Sequence, residues 1–200
     1  MGLRNRFQPR WLGTETVSNR AWAGLGSLSF LESKDLRFPV TTHGEAIADA
    51  DVVVNATPGS ASLEVFETIG DQALTGKVLI DLANPTTPEF ELIYPNSSLA
   101  EKLQDALPGA RVVKTANTAY IGVIADPSTL GEKGNLLLSG DDEEAKQVTR
   151  ELLVDLGWEG NSVTDLGGIE TARNVEPYFL LFFNLVQATG GPQFNIAVVS

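Results

Sequence analysis

The chain contains no cysteine. That excludes a disulfide framework, a thiolate metal site and a thiol nucleophile. Histidine is nearly absent too: His43 is the only one, and it lies inside a capping pattern near a surface turn, where a structural role is the simpler reading. Positive charge is scarce. Fourteen Lys and Arg face 26 Asp and Glu, for a net charge of −12 and an isoelectric point of about 4.4. Nucleic acid needs cations that replace counterions, so this balance argues against it, and against anionic membrane surfaces as well. A phosphate-bearing cofactor is still allowed, because backbone N–H groups and helix N-termini bind phosphate locally. Long apolar runs are missing. Tyr178–Val186 is the most apolar stretch, is interrupted by Asn184, and falls far short of the ~18 residues a membrane span requires. The first 15 residues carry no apolar core of a secretory signal, which makes the cytoplasm the default expectation.

What remains is ordinary for a globular protein: 200 residues, 42% hydrophobic and 20% charged, enough for one domain with or without an appendage. The charge is unevenly placed. Residues 1–40 sum to +3, leaving −15 on residues 41–200. The first 40 residues hold Trp11 and Trp22, scattered glycines and arginines without paired acids, and show neither helical nor strand periodicity. Three readings compete for them: an Arg-rich transit segment, an irregular native arm, or sequence foreign to the fold such as a shifted reading frame. They are expected to pack poorly.

From Thr41 the pattern is clear. Thr42-x-x-Glu45 is a capping box. Asp51–Ala56, Lys77–Ala83 and Arg111–Ala116 are short unalternating apolar runs that end in turn residues, the mark of strands buried on both faces. Helices are predicted between them, one with Leu63, Phe66 and Ile69 on a face, another opened by Ser98-x-x-Glu101 and stopped at Pro108-Gly109. Asn84–Ser97 is a long Pro- and Thr-rich loop. Further on come a short strand at Leu136–Ser139, a helix opened by four acids at 141–144, an edge strand at Val163–Leu166, and an apolar helix over Ile169–Thr189 broken or kinked at Pro177. Phe194–Val199 reads as a last strand or an extended tail. Strands alternating with helices imply βαβ units and a parallel sheet. In such sheets ligands bind beyond the carboxyl ends of the strands.

Five segments carry a resemblance: Asp51–Gly59 (DVVVNATPG), Gly76–Pro85 (GKVLIDLANP), Pro108–Thr118 (PGARVVKTANT), Ser139–Lys146 (SGDDEEAK) and Phe194–Val199. In this order and spacing they resemble the NADPH-dependent F-420 reductase family over roughly residues 41–200. The resemblance implies a Rossmann-like α/β domain with flanking helices and a C-terminal apolar helix. It implies an oxidoreductase that passes a hydride between NADP(H) and the deazaflavin coenzyme F-420. Relatives begin with a buried strand and G-x-G-x-x-G; here the nearest match is Gly24-Leu25-Gly26-Ser27-Leu28-Ser29, with Ser29 in place of the third glycine and no buried strand before it. The first βαβ elements are therefore expected to be lacking. Two alternatives stay open: a degenerate, non-catalytic family member that acts only in self-association, and a Rossmann dehydrogenase with another small substrate.

With the resemblance in hand, the strand ends become candidate cofactor contacts. Thr57, Pro58 and Gly59 follow the first strand and suit a ribose or phosphate, or else form a plain strand-to-helix turn. Asn84 and Pro85 offer a fixed amide for a nicotinamide carboxamide or ribose, or else a turn. Asn117 and Thr118 suit the nicotinamide or the second cofactor. Lys114, inside a strand, is expected to pair with Asp81 or another acid sooner than with a cofactor phosphate. The acids at 141–144 complement a helix dipole and form no metal site. Asn96-Ser97-Ser98 matches a glycosylation sequon, which carries little without a secretory signal. No acid–base dyad or nucleophile is evident, so no catalytic side chain is named; hydride transfer between two cofactors is chiefly positioning. The expected partners are small-molecule cofactors and, through the apolar stripe Tyr178–Val186, a second copy of the chain.

Overall fold

Val52-Val53-Val54, Val78-Leu79-Ile80 and Val112-Val113 are β-branched or bulky at nearly every position, which suits a pleated surface covered on both sides. In a computed structural model, which describes residues 42–48, 50–131 and 134–199, they form β1 (Val52–Asn55), β2 (Val78–Asp81) and β3 (Arg111–Thr115). The expectations for residues 1–40, including the Gly24-Leu25-Gly26 loop, lie outside the described residues. The three strands pair in parallel, with Asn55 beside Asp81 and Asp81 beside Lys114, so their polar ends share one edge.

The sheet continues with β4 (Leu136–Ser139) and β5 (Val163–Asp165), in the order β1-β2-β3-β4-β5. The expectation of a parallel sheet holds for β1–β3 but needs correcting here: β4 runs antiparallel to β3, pairing Lys114 with Ser139, and β5 is parallel to β4. The connection explains the reversal. Among the described residues between β3 and β4 the only α-helix is α5 (Ile121–Ala125), about 7 Å long at 1.5 Å per residue, too short to carry the chain back along a strand of about 17 Å. An antiparallel neighbour needs no such crossover. The 13-residue α6 (Glu143–Asp155) is long enough, and β4-α6-β5 is a true parallel crossover.

Helices cover both faces. On one lie α1 (His43–Ala48), α2 (Gly59–Ile69), α3 (Asp71–Leu74) and α4 (Leu99–Ala106), burying Ile47, Phe66, Leu74, Leu99 and Leu103 against Val53, Leu79 and Val112. On the other lie α5 and α6, with Trp158 as the largest buried side chain against Val78, Ile80, Val113 and Leu138. The Trp158 indole N–H donates to the Ile124 carbonyl at 3.0 Å, so its burial leaves no donor unmet. Each such side chain contributes roughly 1.5–3 kcal/mol by leaving water. The capping boxes form as their sequence implies: the Glu45 N–H reaches Thr42 Oγ1 at 3.4 Å, and the Glu101 N–H reaches Ser98 Oγ at 3.1 Å. Asp142 caps α6, accepting from the Ala145 N–H at 2.7 Å.

Pro177 breaks the expected long helix, as read. A 3-10 segment, Ile169–Asn174, precedes it and α7 (Tyr178–Thr189) follows. Phe194–Val199 is an extended tail outside any strand, tied to Asn135 by bonds of 2.7 Å from the Asn135 N–H to the Ile196 carbonyl and from the Val198 N–H to Asn135 Oδ1.

Candidate functional site

At the carboxyl edge of β1–β3 the chain builds one connected polar network. Its centre is Lys114, fully buried. The ammonium donates to Asp81 Oδ2 at 2.8 Å and lies 3.0 Å from Glu176 Oε1. Its third bond goes to the Ala83 carbonyl, one residue before Asn84. The expected Lys114–Asp81 pair is thus present, with Glu176 as a second acid. All three groups are out of water, so the pairing must offset a large desolvation penalty. Removing the lysine would strand two carboxylates, a change that typically costs about 3–5 kcal/mol. Burial pushes the Glu176 carboxyl above its ordinary range, against the pull of Lys114 and of the Leu99 N–H.

The network branches from each acid. Asp81 Oδ1 accepts from Asn55 Nδ2 at 2.8 Å and from the Ala83 N–H at 3.1 Å. Asn55 Oδ1 accepts from the Thr57 N–H at 3.1 Å and from Thr57 Oγ1 at 2.7 Å. Thr57 Oγ1 also lies 2.8 Å from Ser62 Oγ in α2, so the hydroxyl helps to seat that helix on β1. Glu176 receives the Leu99 N–H at 2.9 Å and the Ala100 N–H at 3.3 Å, taking two of the orphan donors at the start of α4.

Asn84 and Asn117 face each other across the ends of β2 and β3. Asn117 Nδ2 donates to Asn84 Oδ1 at 3.0 Å, and Asn84 Nδ2 donates to the Asn117 carbonyl at 3.0 Å. Asn117 Nδ2 also reaches the Val175 carbonyl at 3.2 Å, next to Glu176. Ala116 between β3 and Asn117 is buried with φ 55°, a left-handed conformation that alanine rarely adopts. Two buried polar atoms here have no partner among the described residues: Asn117 Oδ1 and Thr118 Oγ1. Buried oxygens are normally satisfied, so an unmet acceptor and an unmet hydroxyl on consecutive residues at a strand end fit a ligand that brings its own donors and acceptor. Tyr120 and Ile121 follow at once, and Ile121 is 61% exposed.

All seven expected residues thus lie at this edge. Asn84, Pro85, Asn117 and Thr118 come together, while Thr57, Pro58 and Gly59 sit one strand over. Gly59 is set against the loop after β2: a Cβ there would stand 2.1 Å from the Asn84 carbonyl oxygen. Its smallness lets α2 dock directly on Asn84. The loop 84–97 is pinned by a bridge between Thr86 and Leu92 and by the Ile93 N–H donating to the Pro85 carbonyl at 2.9 Å; its tip, Phe90, meets Phe183 of α7 edge-on at 4.8 Å. The sequence reading missed Asn55 and Glu176. A lone acid just before Pro177, at the head of an apolar helix, was the available signal for Glu176.

Every Lys and Arg among the described residues is already engaged. Lys77 donates to the Ala50 carbonyl, Lys102 lies near Asp105, Arg111 near Asp142 and Glu144, Lys146 and Arg150 share Asp165, and Arg173 holds Glu101. Among the described residues no group of three His, Asp or Glu is placed to hold a metal, and no helix is long and apolar enough to cross a membrane.

Parallel strand ends that present amides and hydroxyls, with helices on both faces of the sheet, define a Rossmann-like α/β domain. Comparisons narrow this. A solved structure from Arthrobacter sp. FB24, assigned as an F-420-dependent NADP reductase, is 34% identical, with a TM-score of 0.76, covering 80% of this chain and 74% of that one. The F-420-dependent NADP reductase of Methanocaldococcus jannaschii is 26% identical over 70% of this chain and 64% of its own length. Metalloreductase STEAP3 of Rattus norvegicus is 31% identical over 68% of this chain and 26% of its own. The chain therefore spans less than two thirds of these two curated relatives. No family model matches it. By its likeness to the Arthrobacter structure, the chain belongs to the F-420-dependent NADP reductase family.

Proposed function

We propose that the protein is an oxidoreductase that passes a hydride between NADP(H) and the deazaflavin coenzyme F-420, with the nicotinamide end of NADP(H) at the ends of β2 and β3. One observation carries the reading: the Asn84–Asn117 amide pair stands beside the buried, unpartnered Asn117 Oδ1 and Thr118 Oγ1. A carboxamide brings two donors and an acceptor, which complement an amide oxygen and a hydroxyl. Asn117 and Thr118 would hold the carboxamide, Asn84 and Pro85 would bound it, and Thr57, Pro58 and Gly59 would flank the ribose side. Bound NADPH supplies the hydride. The chain's own residues orient the reacting partners and exclude water, where positioning is the main source of rate. The test is a fluorescence titration with NADPH and NADH in parallel, followed by NADPH-dependent bleaching of the deazaflavin. Saturable NADPH binding and bleaching are expected; no saturable binding by either nucleotide would refute the reading.

The non-catalytic alternative draws on the charge pattern, since each Lys and Arg among the described residues already lies within 4.0 Å of a carboxylate or a carbonyl of this chain. Self-association is part of either reading. α7 (YFLLFFNLVQAT) buries none of its residues, and Leu181 is 49% exposed, so a second copy of the chain is its proposed cover. Leu181→Lys should shift the sedimentation profile to a smaller species without lowering stability; an unchanged profile would refute that interface.

A further inference from the structure

We propose that Lys114 is a positioning residue for this site: its one buried ammonium locks the three strand-end turns to one another and so holds the Asn84 and Asn117 amides in register. The proposal rests on the reading of that edge as the nicotinamide seat.

Lys114 makes three bonds, and each leads to a different part of the edge. Through the Ala83 carbonyl it fixes the peptide that carries Asn84. Through Glu176 at 3.0 Å it fixes the segment whose Val175 carbonyl accepts from Asn117 Nδ2 at 3.2 Å. Through Asp81 at 2.8 Å it reaches Asn55, and from Asn55 the Thr57 N–H and hydroxyl. No other side chain in the described network touches all three branches. A lysine suits the task because its ammonium has three donors and no acceptor, and here all three are used. The arrangement also exceeds what pairing alone needs. A single carboxylate would neutralise the ammonium, yet the cluster holds two, and the second comes from beyond β5 at the head of α7. Satisfied buried networks of this kind rigidify the groups they join. First-contact side chains are held to within a fraction of an ångström by such support, and a displacement of about 1 Å at a reacting centre lowers rates by as much as a hundredfold.

The test compares Lys114→Met with Lys146→Met in the full chain. Lys146 is a fair control: it is also almost buried and paired with two acids, Glu143 and Asp165, but on α6 away from the amides. Side-chain amide signals of Asn84 and Asn117 are followed by NMR, with NADPH binding and turnover per folded molecule. Lys114→Met should shift or broaden both amide signals and lower kcat by about 10–100-fold with a smaller change in KM for NADPH; Lys146→Met should do neither. Amide signals of folded Lys114→Met that superimpose on the wild type would overturn the proposal, since a purely stabilising lysine would leave them in place. Should Lys114→Met not fold, Glu176→Gln carries the test: it keeps Asp81 paired, and it should move the Asn117 signal more than that of Asn84. An unmoved Asn117 signal would overturn the proposal in that variant. Wild-type protein that binds no NADPH would sink the functional reading alone, because the amide comparison needs no cofactor.

Discussion

Gly59→Ala should destabilise the protein even though it replaces a poor helix former with the best one. Gly59 opens α2, and its α-hydrogen side faces the turn after β2. An added Cβ would lie 2.1 Å from the Asn84 oxygen, 2.3 Å from the Asn84 carbonyl carbon and 2.7 Å from the Pro85 nitrogen. Ordinary contact is at about 3.5 Å, so α2 and the 84–85 turn must part by more than roughly 1 Å. Neither side yields easily. The obstructing atoms are backbone rather than the tip of a flexible side chain, and Asn84 is itself tied to Asn117 by two bonds. Overpacking of this kind costs about 1–3 kcal/mol, here at the upper end, against a helix-propensity gain of at most about 1 kcal/mol. The net loss is about 2 kcal/mol, or about 1 M in the urea midpoint for a typical slope of about 2 kcal/mol per M. Gly44→Ala in α1 is the matched control, because nothing lies within 4 Å of a Cβ there, and it should be neutral or stabilising by up to about 1 kcal/mol. The assay is urea unfolding of the three proteins side by side. A Gly59→Ala midpoint at or above that of the wild type, with an unchanged slope, would show that the α2–Asn84 approach is not tight.

Further outcomes follow from the caps and the buried charges. Ser98→Ala removes a buried N-cap that accepts from the Glu101 N–H at 3.1 Å, and should cost about 1 kcal/mol in the same unfolding assay; no change would mean that Glu176 alone caps α4. Burial works to raise the Asp165 carboxyl, but the Gly167 N–H, Lys146 and Arg150 outweigh it and hold the group below its ordinary 3.8. Its stabilisation is therefore present above that value and is lost as pH falls through the lower folded value, so the stability gap between wild type and Asp165→Asn should narrow on acidification. Glu176 has the opposite sign. Its folded form holds a proton more tightly than the unfolded chain's 4.5, so its contribution is largest at low pH and fades as pH climbs from 4.5 through the raised value. The wild-type advantage over Glu176→Gln should accordingly shrink with rising pH; a gap that widens would contradict the assigned shift.

Much of the edge was legible because its physics is local. Four apolar residues in five positions followed by Asn84-Pro85 need no partner to be read as a buried strand and a turn, and the same holds for Val112-Val113 before Asn117. Lys114 inside an apolar strand demanded an acid, with Asp81 or another acid near it in the fold as the expected partner. Glu176 was not legible in the same way, since its contact with the Leu99 N–H joins residues 77 apart, and nothing in the local pattern measures that distance. The direction of β4 was hidden for a related reason. Leu136–Ser139 is apolar in either orientation, and only the shortness of α5 decides which way it runs. Gly59 was expected either to face a cofactor or to form a plain strand-to-helix turn; its close approach to Asn84 became visible only once α2 was placed.

Under the proposed function, this edge divides the work of recognising a dinucleotide. The side chains assigned to the nicotinamide seat are neutral: two carboxamides, two threonine hydroxyls and a proline, with Asn117 and Thr118 themselves buried. The edge's charges face inward and cancel in part, with Lys114 enclosed by Asp81 and Glu176. A neutral seat exerts little long-range pull on an anionic cofactor, but it discriminates well at contact, because a buried amide oxygen left unmet is costly. Orientation of a nicotinamide and attraction of phosphates are thus separable tasks. On that reading the described residues suit the first, their Lys and Arg each lying within 4.0 Å of a carboxylate or a carbonyl. Six of the chain's 14 Lys and Arg fall within residues 1–40, where the net charge is positive, so the charge suited to the second task is segregated in the sequence from the amides suited to the first.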